Sequence, residues 1–100
     1  MAIVGKSSEV PPDEIKAFDV DGVRIAIAQS DGEFHAFDDM CTHEECSLEE
    51  DGEIDGTEIT CLCHFSVFDI HTGKVIEGPA TEPLPIYGVS VIDDDIDVTI

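Results

Sequence analysis

The chain has 100 residues, 42% of them hydrophobic, and carries 24 acidic against four basic side chains, a formal net charge of −20. Its length allows one domain with a modest core, and its apolar fraction is that of a globular protein rather than a disordered one. The charge argues against nucleic acid and anionic membranes as partners and favours proteins with basic patches, which such a surface attracts from a distance.

In chain order, Ala2 to Val4 reads as a short strand. Val10-Pro11-Pro12-Asp13-Glu14 reads as a turn with one helical or 3₁₀ step, because proline is tolerated in few other places. Phe18 and Val20 belong to a strand that turns at Asp21-Gly22. Val23, Ile25 and Ile27 then alternate with Arg24, Ala26 and Ala28, a hairpin signal. Asp31-Gly32 predicts a second tight turn. Phe34 and Phe37 flank His35 in the next strand, which runs through Asp38-Asp39-Met40 into a loop. Gly52 and Gly56 punctuate a strand pair whose apolar points are Ile54 and Ile59. Val67, Phe68 and Ile70 form a strand, His71-Thr72-Gly73 turns it, and Lys74, Val75 and Ile76 return. Gly78-Pro79-Ala80 opens a crossing to Pro83-Leu84-Pro85. Ile86-Tyr87 and Val89 to Ile92 pair through Asp93-Asp94-Asp95 with Ile96, Val98 and Ile100.

No segment sustains a 3.6-residue period, so the class is all-β, a sandwich or barrel. One domain over 1–100 is expected. Its basal antiparallel β-sandwich takes about 1–39 and 81–100, and a smaller lobe takes about 40–80. No apolar run reaches transmembrane length, and the N-terminal stretch has no basic start, long apolar centre or twin-Arg pair. A cytoplasmic monomer with no membrane contact is expected.

The chemistry is concentrated in Cys41-Thr42-His43 and Cys61-Leu62-Cys63-His64, with seventeen residues between His43 and Cys61. Each loop offers a soft, charged thiolate and a harder, neutral imidazole. Two of each can hold a pair of irons unequally, sulfur on one and nitrogen on the other, as a Rieske [2Fe-2S] centre requires. A structural Cys₂His₂ zinc site needs the same donors, but zinc-finger spacing separates the cysteine arm from the histidine arm, whereas here the arms are mixed.

With these loops, the length, Phe68-Asp69, Thr72-Gly73-Lys74 and Gly78-Pro79-Ala80, the chain resembles, nearly end to end, the Rieske-type ferredoxins of multicomponent aromatic ring-hydroxylating dioxygenases. The resemblance implies the Rieske fold with a cluster-binding lobe and one [2Fe-2S] cluster. Cys41 and Cys61 would hold the inner iron, and His43 and His64 the outer iron at the protein tip. It also implies a one-electron carrier, not an enzyme by itself. Its partners would be an NAD(P)H-dependent flavin reductase and a terminal oxygenase, docked through the acidic surface, to which Glu44, Glu45, Glu49 and Glu50 contribute near the first loop. The other oxidoreductase reading is a Rieske module such as a nitrite reductase small subunit.

Cys46 and Cys63 depart from most dioxygenase ferredoxins, which lack the pair, and fall where respiratory Rieske proteins carry a disulfide between the loops, so likeness to those proteins implies a bridge. A reducing cytoplasm opposes one, and two buried thiols are the alternative. Ser66 stands where those proteins have a hydroxyl donor to cluster sulfur. Phe68 stands where they have a tyrosine. One donor kept and one lost implies a potential in the lower part of the Rieske range of roughly −150 to +300 mV. His35 reads as a rim residue, His71 as a turn residue, and Tyr87 as core packing with its hydroxyl at the edge.

Overall fold

The structure, a computed structural model, describes residues 2–40, 46–63, 65–78 and 80–99. Strands β1 (Ala2–Lys6), β2 (Ile15–Val20), β3 (Val23–Ser30) and β4 (Glu33–Asp38) precede a one-turn helix, α1 (Leu48–Asp51). Then come β5 (Gly52–Asp55), β6 (Glu58–Cys61), β7 (Ser66–Asp69), β8 (Val75–Glu77), β9 (Ile86–Ile92) and β10 (Asp95–Thr99). They form two antiparallel sheets, one of six strands in the order β1-β10-β9-β4-β3-β2 and one of four in the order β5-β6-β7-β8. The class is all-β, as the alternation predicts. The larger sheet curls toward a barrel: β1 meets β2 at Gly5, where an added Cβ would stand 3.0 Å from Phe18 Cε1.

The two Asp-Gly pairs make the expected hairpins. Asp21 and Gly22 have φ of 50° and 84° between the paired Val20 and Val23, and Asp31-Gly32 does the same between Ser30 and Glu33. Positive φ at both central residues gives a turn whose twist matches that of the strands. The last hairpin achieves it with Asp93 and Asp94, at 49° and 69°, and Asp95 already pairs with Ile92 rather than lying in the turn.

Three local expectations shift. The 3₁₀ step is Ser7–Glu9, ahead of the prolines. It forms there because Lys6 N donates to Glu9 Oε1 at 2.7 Å and Ser7 N donates to Asp94 O at 2.8 Å. The helix α1 has no counterpart in the sequence reading, since a single turn is too short to display a period. Ile70 lies just beyond β7, its N–H donating to Thr57 O at 2.8 Å.

Strand β3 explains how the sheets stack. Ile25, Ala26, Ile27 and Ala28 are all fully buried. Successive side chains face opposite ways. Ile25 and Ile27 join Val10, Val20, Ala36, Ile96 and Val98 inside the curled sheet. Ala26 and Ala28 face the second core, with Phe37, Leu48, Ile54, Ile59, Cys61 and Phe68. Small side chains on that face let the four-stranded sheet approach closely. Each fully buried Phe, Leu or Ile there contributes about 1.5–3 kcal/mol. Gly73 sets the other contact: at φ 76°, a Cβ there would lie 1.9 Å from Leu84 O, and Leu84 N donates to Gly73 O at 2.7 Å. That close approach holds the crossing from Ala80 to Pro85 against the β7–β8 turn. Among the described residues no helix is long and apolar enough to cross a membrane.

Candidate metal centre

The site is built where the four-stranded sheet ends. Cys61, the last residue of β6, is wholly buried and pairs with Gly52 on one side and Ser66 on the other. The turn between β6 and β7 closes tightly through Phe65 N donating to Cys61 O at 2.7 Å. Leu62 N donates to Asp51 O at 2.7 Å, which ties this second loop to α1. Phe65 is 67% exposed and has φ of 61°, a conformation few aromatic residues adopt.

The first loop is held at both ends. Met40 and Ser47 form an antiparallel bridge, and Leu48 N donates to Asp39 O at 2.6 Å. The Asp39 carboxylate, 0% exposed, does the rest. Its Oδ2 accepts from Ser47 Oγ at 2.6 Å and from Arg24 Nε at 2.9 Å, and its Oδ1 accepts from Glu49 N at 2.9 Å. One buried carboxylate thus clasps the loop's entry to its exit and caps the first turn of α1. The hydrogen bond to Asp39 raises the Arg24 guanidinium above its ordinary value. Sequence reading passed over Asp39 as a loop acid; an arginine among only four basic residues was the available signal.

The two loops are joined directly. Cys46 and Cys63 form a disulfide with Cα atoms 6.6 Å apart. Ser66 is buried and its Oγ accepts from Ala80 N at 3.1 Å, drawing the chain after Gly78 against the site. Accepting there leaves the O–H as the bond Ser66 can still donate. Of the residues singled out in the sequence, Cys41, Thr42, His43, Glu44, Glu45, His64, Pro79 and Ile100 lie outside the described residues. Glu49 has a different role from the one expected. Its Oε2 accepts from Ala17 N and its Oε1 pairs with Arg24 Nη2 at 3.2 Å, so it docks α1 onto β2 rather than standing free for a partner.

His35 is half-buried on β4, and burial first, then the neighbouring His71, lowers its imidazole below the ordinary value. His71 is exposed in the turn before Gly73. Tyr87 is half-buried on β9 against the curled sheet's core.

The donor set fits a cluster of mixed ligation. The chain has four cysteines. Two are bonded to each other, so two remain, Cys61 and Cys41. An all-thiolate cluster needs four, whereas a Rieske centre takes two thiolates and two imidazoles. A buried thiol at a strand end, beside two loops pinned together, is the cradle such a centre needs.

The Rieske [2Fe-2S] domain family matches residues 1–88, and the chain belongs to that family. It carries one Rieske-type cluster as its cofactor. Over 88 residues it is 42% identical to the biphenyl dioxygenase ferredoxin subunit of Pseudomonas sp. (strain KKS102), covering 88% of this chain and 81% of that one. The ferredoxin of carbazole 1,9a-dioxygenase from Nocardioides aromaticivorans IC177 superposes with a TM-score of 0.89 at 29% identity, covering 97% of this chain and 94% of that one. A chain from a complex of reduced oxygenase and oxidized ferredoxin in carbazole 1,9a-dioxygenase gives 0.88 at 31% identity, over 98% and 100%.

Proposed function

We propose that the chain is a one-electron carrier, not an enzyme by itself. It takes electrons singly from an NAD(P)H-dependent flavin reductase and delivers them to the terminal oxygenase of an aromatic ring-hydroxylating dioxygenase system. The observation that carries this is the 42% identity to a dioxygenase ferredoxin subunit over most of both chains. Likeness to a chain from an oxygenase–ferredoxin complex supports the delivery step.

Cys41 and Cys61 hold one iron and His43 and His64 the other. When bound, the cluster supplies a single reversible one-electron site. The protein's part is to hold it, tune it and present it. Burial of Cys61 keeps water from one thiolate. The Ser66 hydroxyl donates toward cluster or ligand sulfur, which favours the reduced, more negative form. The Asp39 clasp and the Cys46–Cys63 bridge hold both loops in register, so little has to move when the charge changes. One domain serves this role, with the six-stranded sheet as base and residues 40–80 as the cluster-binding lobe.

Docking combines charge with an apolar tip. Met40, Leu62 and Phe65 flank the two loops and are 41%, 43% and 67% exposed. Elsewhere the surface carries a mostly acidic groove of about 400 Å³, lined by Asp13, Glu14, Glu50 and Glu53 with Lys16 among them, where Glu49 is already bonded to Ala17 and Arg24. Acidic charge steers the encounter with basic partners, and the apolar tip makes the close contact that tunnelling needs. The protein works in the cytoplasm as a monomer.

Reconstitution tests the reading. NADH, a flavin reductase and an aromatic-ring oxygenase are combined with and without this protein, and dihydrodiol product is measured. Product formation that depends on the protein is expected. Cluster reduction by the reductase with no transfer to any such oxygenase would move the protein to another oxidoreductase system.

A further inference from the structure

Three metal-ligating side chains outside the cluster site converge from the two sheets. Glu33 opens β4, and His35 follows two residues later on the same face. His71 comes from the turn after β7, in the other sheet. The Nε2 atoms of His35 and His71 lie 3.9 Å and 3.8 Å from the same oxygen, Glu33 Oε2. The rings meet edge to face at 83°, with centroids 5.1 Å apart. One ligand atom from each residue lies within 4.8 Å of the other two.

We propose that Glu33, His35 and His71 form a second metal site, for a divalent transition ion of borderline softness such as Zn²⁺, and that the ion cross-links β4 to the β7–β8 turn. Two imidazoles and a carboxylate are a donor set that suits such ions, with a fourth position left to water. Donors about 2.0–2.1 Å from a tetrahedral ion stand roughly 3.3 Å apart, so the two Glu33–His distances have to close by about half an ångström and the His35–His71 separation, at most 4.8 Å, by up to about 1.5 Å. Exposed Glu33 and His71, with side chains 69% and 53% accessible, can rotate to do this. Ion pairing alone is a poor account of the cluster. At 3.8–3.9 Å the contacts are too long for hydrogen bonds, and protonating both adjacent rings would set like charges together.

An outer carboxylate is also in place. Asp69 Oδ1 accepts from His71 N at 2.7 Å and Thr72 N at 3.1 Å, and it lies 3.9 Å from His71 Nδ1. At that distance it is no hydrogen bond, but a small rotation of the exposed His71 ring would bring Nδ1–H onto Asp69 and leave Nε2 for the ion. Ser66 starts β7 beside Cys61, whereas His71 lies in the turn past its far end, beyond a strand that spans roughly 10 Å. The ion therefore fastens the two sheets and takes no part in holding the cluster.

The test uses cluster-loaded protein, freed of loosely bound ions on a chelating resin and titrated calorimetrically with ZnCl₂ at near-neutral pH and moderate salt. Visible absorbance is followed throughout. The expected result is one saturable site per chain, unchanged cluster bands and a raised thermal midpoint. His71→Ala and His35→Gln should each weaken binding at least about tenfold, since even an outer-shell partner costs that much. Asp93→Asn, a remote acid, should not. Their unfolding midpoints without zinc report whether the variants are folded. No saturable binding, or equally tight binding in folded His71→Ala and His35→Gln, would overturn the site.

Discussion

Arg24 Nε donates to Asp39 Oδ2 at 2.9 Å, and that carboxylate, sealed from solvent, is what closes the first ligand loop on itself. Arg24 is 43% exposed while Asp39 is 0% exposed, so the two ends of the pair are unequal in value. Removing Arg24 strips one partner from an acid that keeps Ser47 and the Glu49 N–H. Removing Asp39 orphans three donors at once. Asp39→Ala should cost about 2–3 kcal/mol, and Arg24→Met, at the solvent-screened end of the pair, should cost clearly less. Denaturant midpoints and iron-to-protein ratios check both. An Asp39→Ala protein with a full complement of iron and an unaltered midpoint would show that the clasp is ornamental.

The bridge between Cys46 and Cys63 spans 17 residues. Closing a loop of that length stabilises the folded state by about 3 kcal/mol through the unfolded chain. Cys46→Ser with Cys63→Ser should lower the unfolding midpoint and speed cluster loss on warming, while the reduced spectrum keeps its form. Equal cluster lifetimes in wild type and double variant would mean that the bridge contributes nothing to retention.

Ser66 is buried, and Ala80 N already occupies its acceptor side. If its proton goes to sulfur, Ser66→Ala lowers the midpoint potential by about 60 mV, the one-electron equivalent of a tenfold change or ~1.4 kcal/mol. Redox titration decides, and an unmoved midpoint removes Ser66 from the tuning.

Docking by charge and by the tip separate cleanly. With a net charge of −20, the rate of electron delivery should fall several-fold as ionic strength rises, because screening shortens the reach of attraction. A salt-independent rate would end the charge argument. Phe65→Gly relieves a left-handed backbone at an exposed aromatic and should leave stability equal or higher by up to about 1 kcal/mol, yet slow transfer. Unchanged transfer would show that the ring is not part of the contact.

Much of the scaffold was legible because β3 sorts its residues by period two and because Asp-Gly pairs announce hairpins. The short helix α1 was not, since its capping acid, Asp39, lies ten residues from Glu49 and reaches it through the fold. Glu49 looked like one surface charge among many, and only packing against β2 shows it bonded to Ala17 and Arg24. His35 and His71 carried no mutual signal, because a strand and a distant turn meet only when two sheets stack. The Cys46–Cys63 bridge was legible only through the resemblance, since spacing left two buried thiols as the alternative, and it is the meeting of the two loops that settles which pair is joined.

The most direct measurement of the central claim is the low-temperature electron paramagnetic resonance spectrum of the dithionite-reduced protein. The account predicts a signal with the low average g-value of a [2Fe-2S] cluster held by two histidines and two cysteines. A higher average typical of all-cysteine ligation, or no signal from protein with its metal bound, would contradict it.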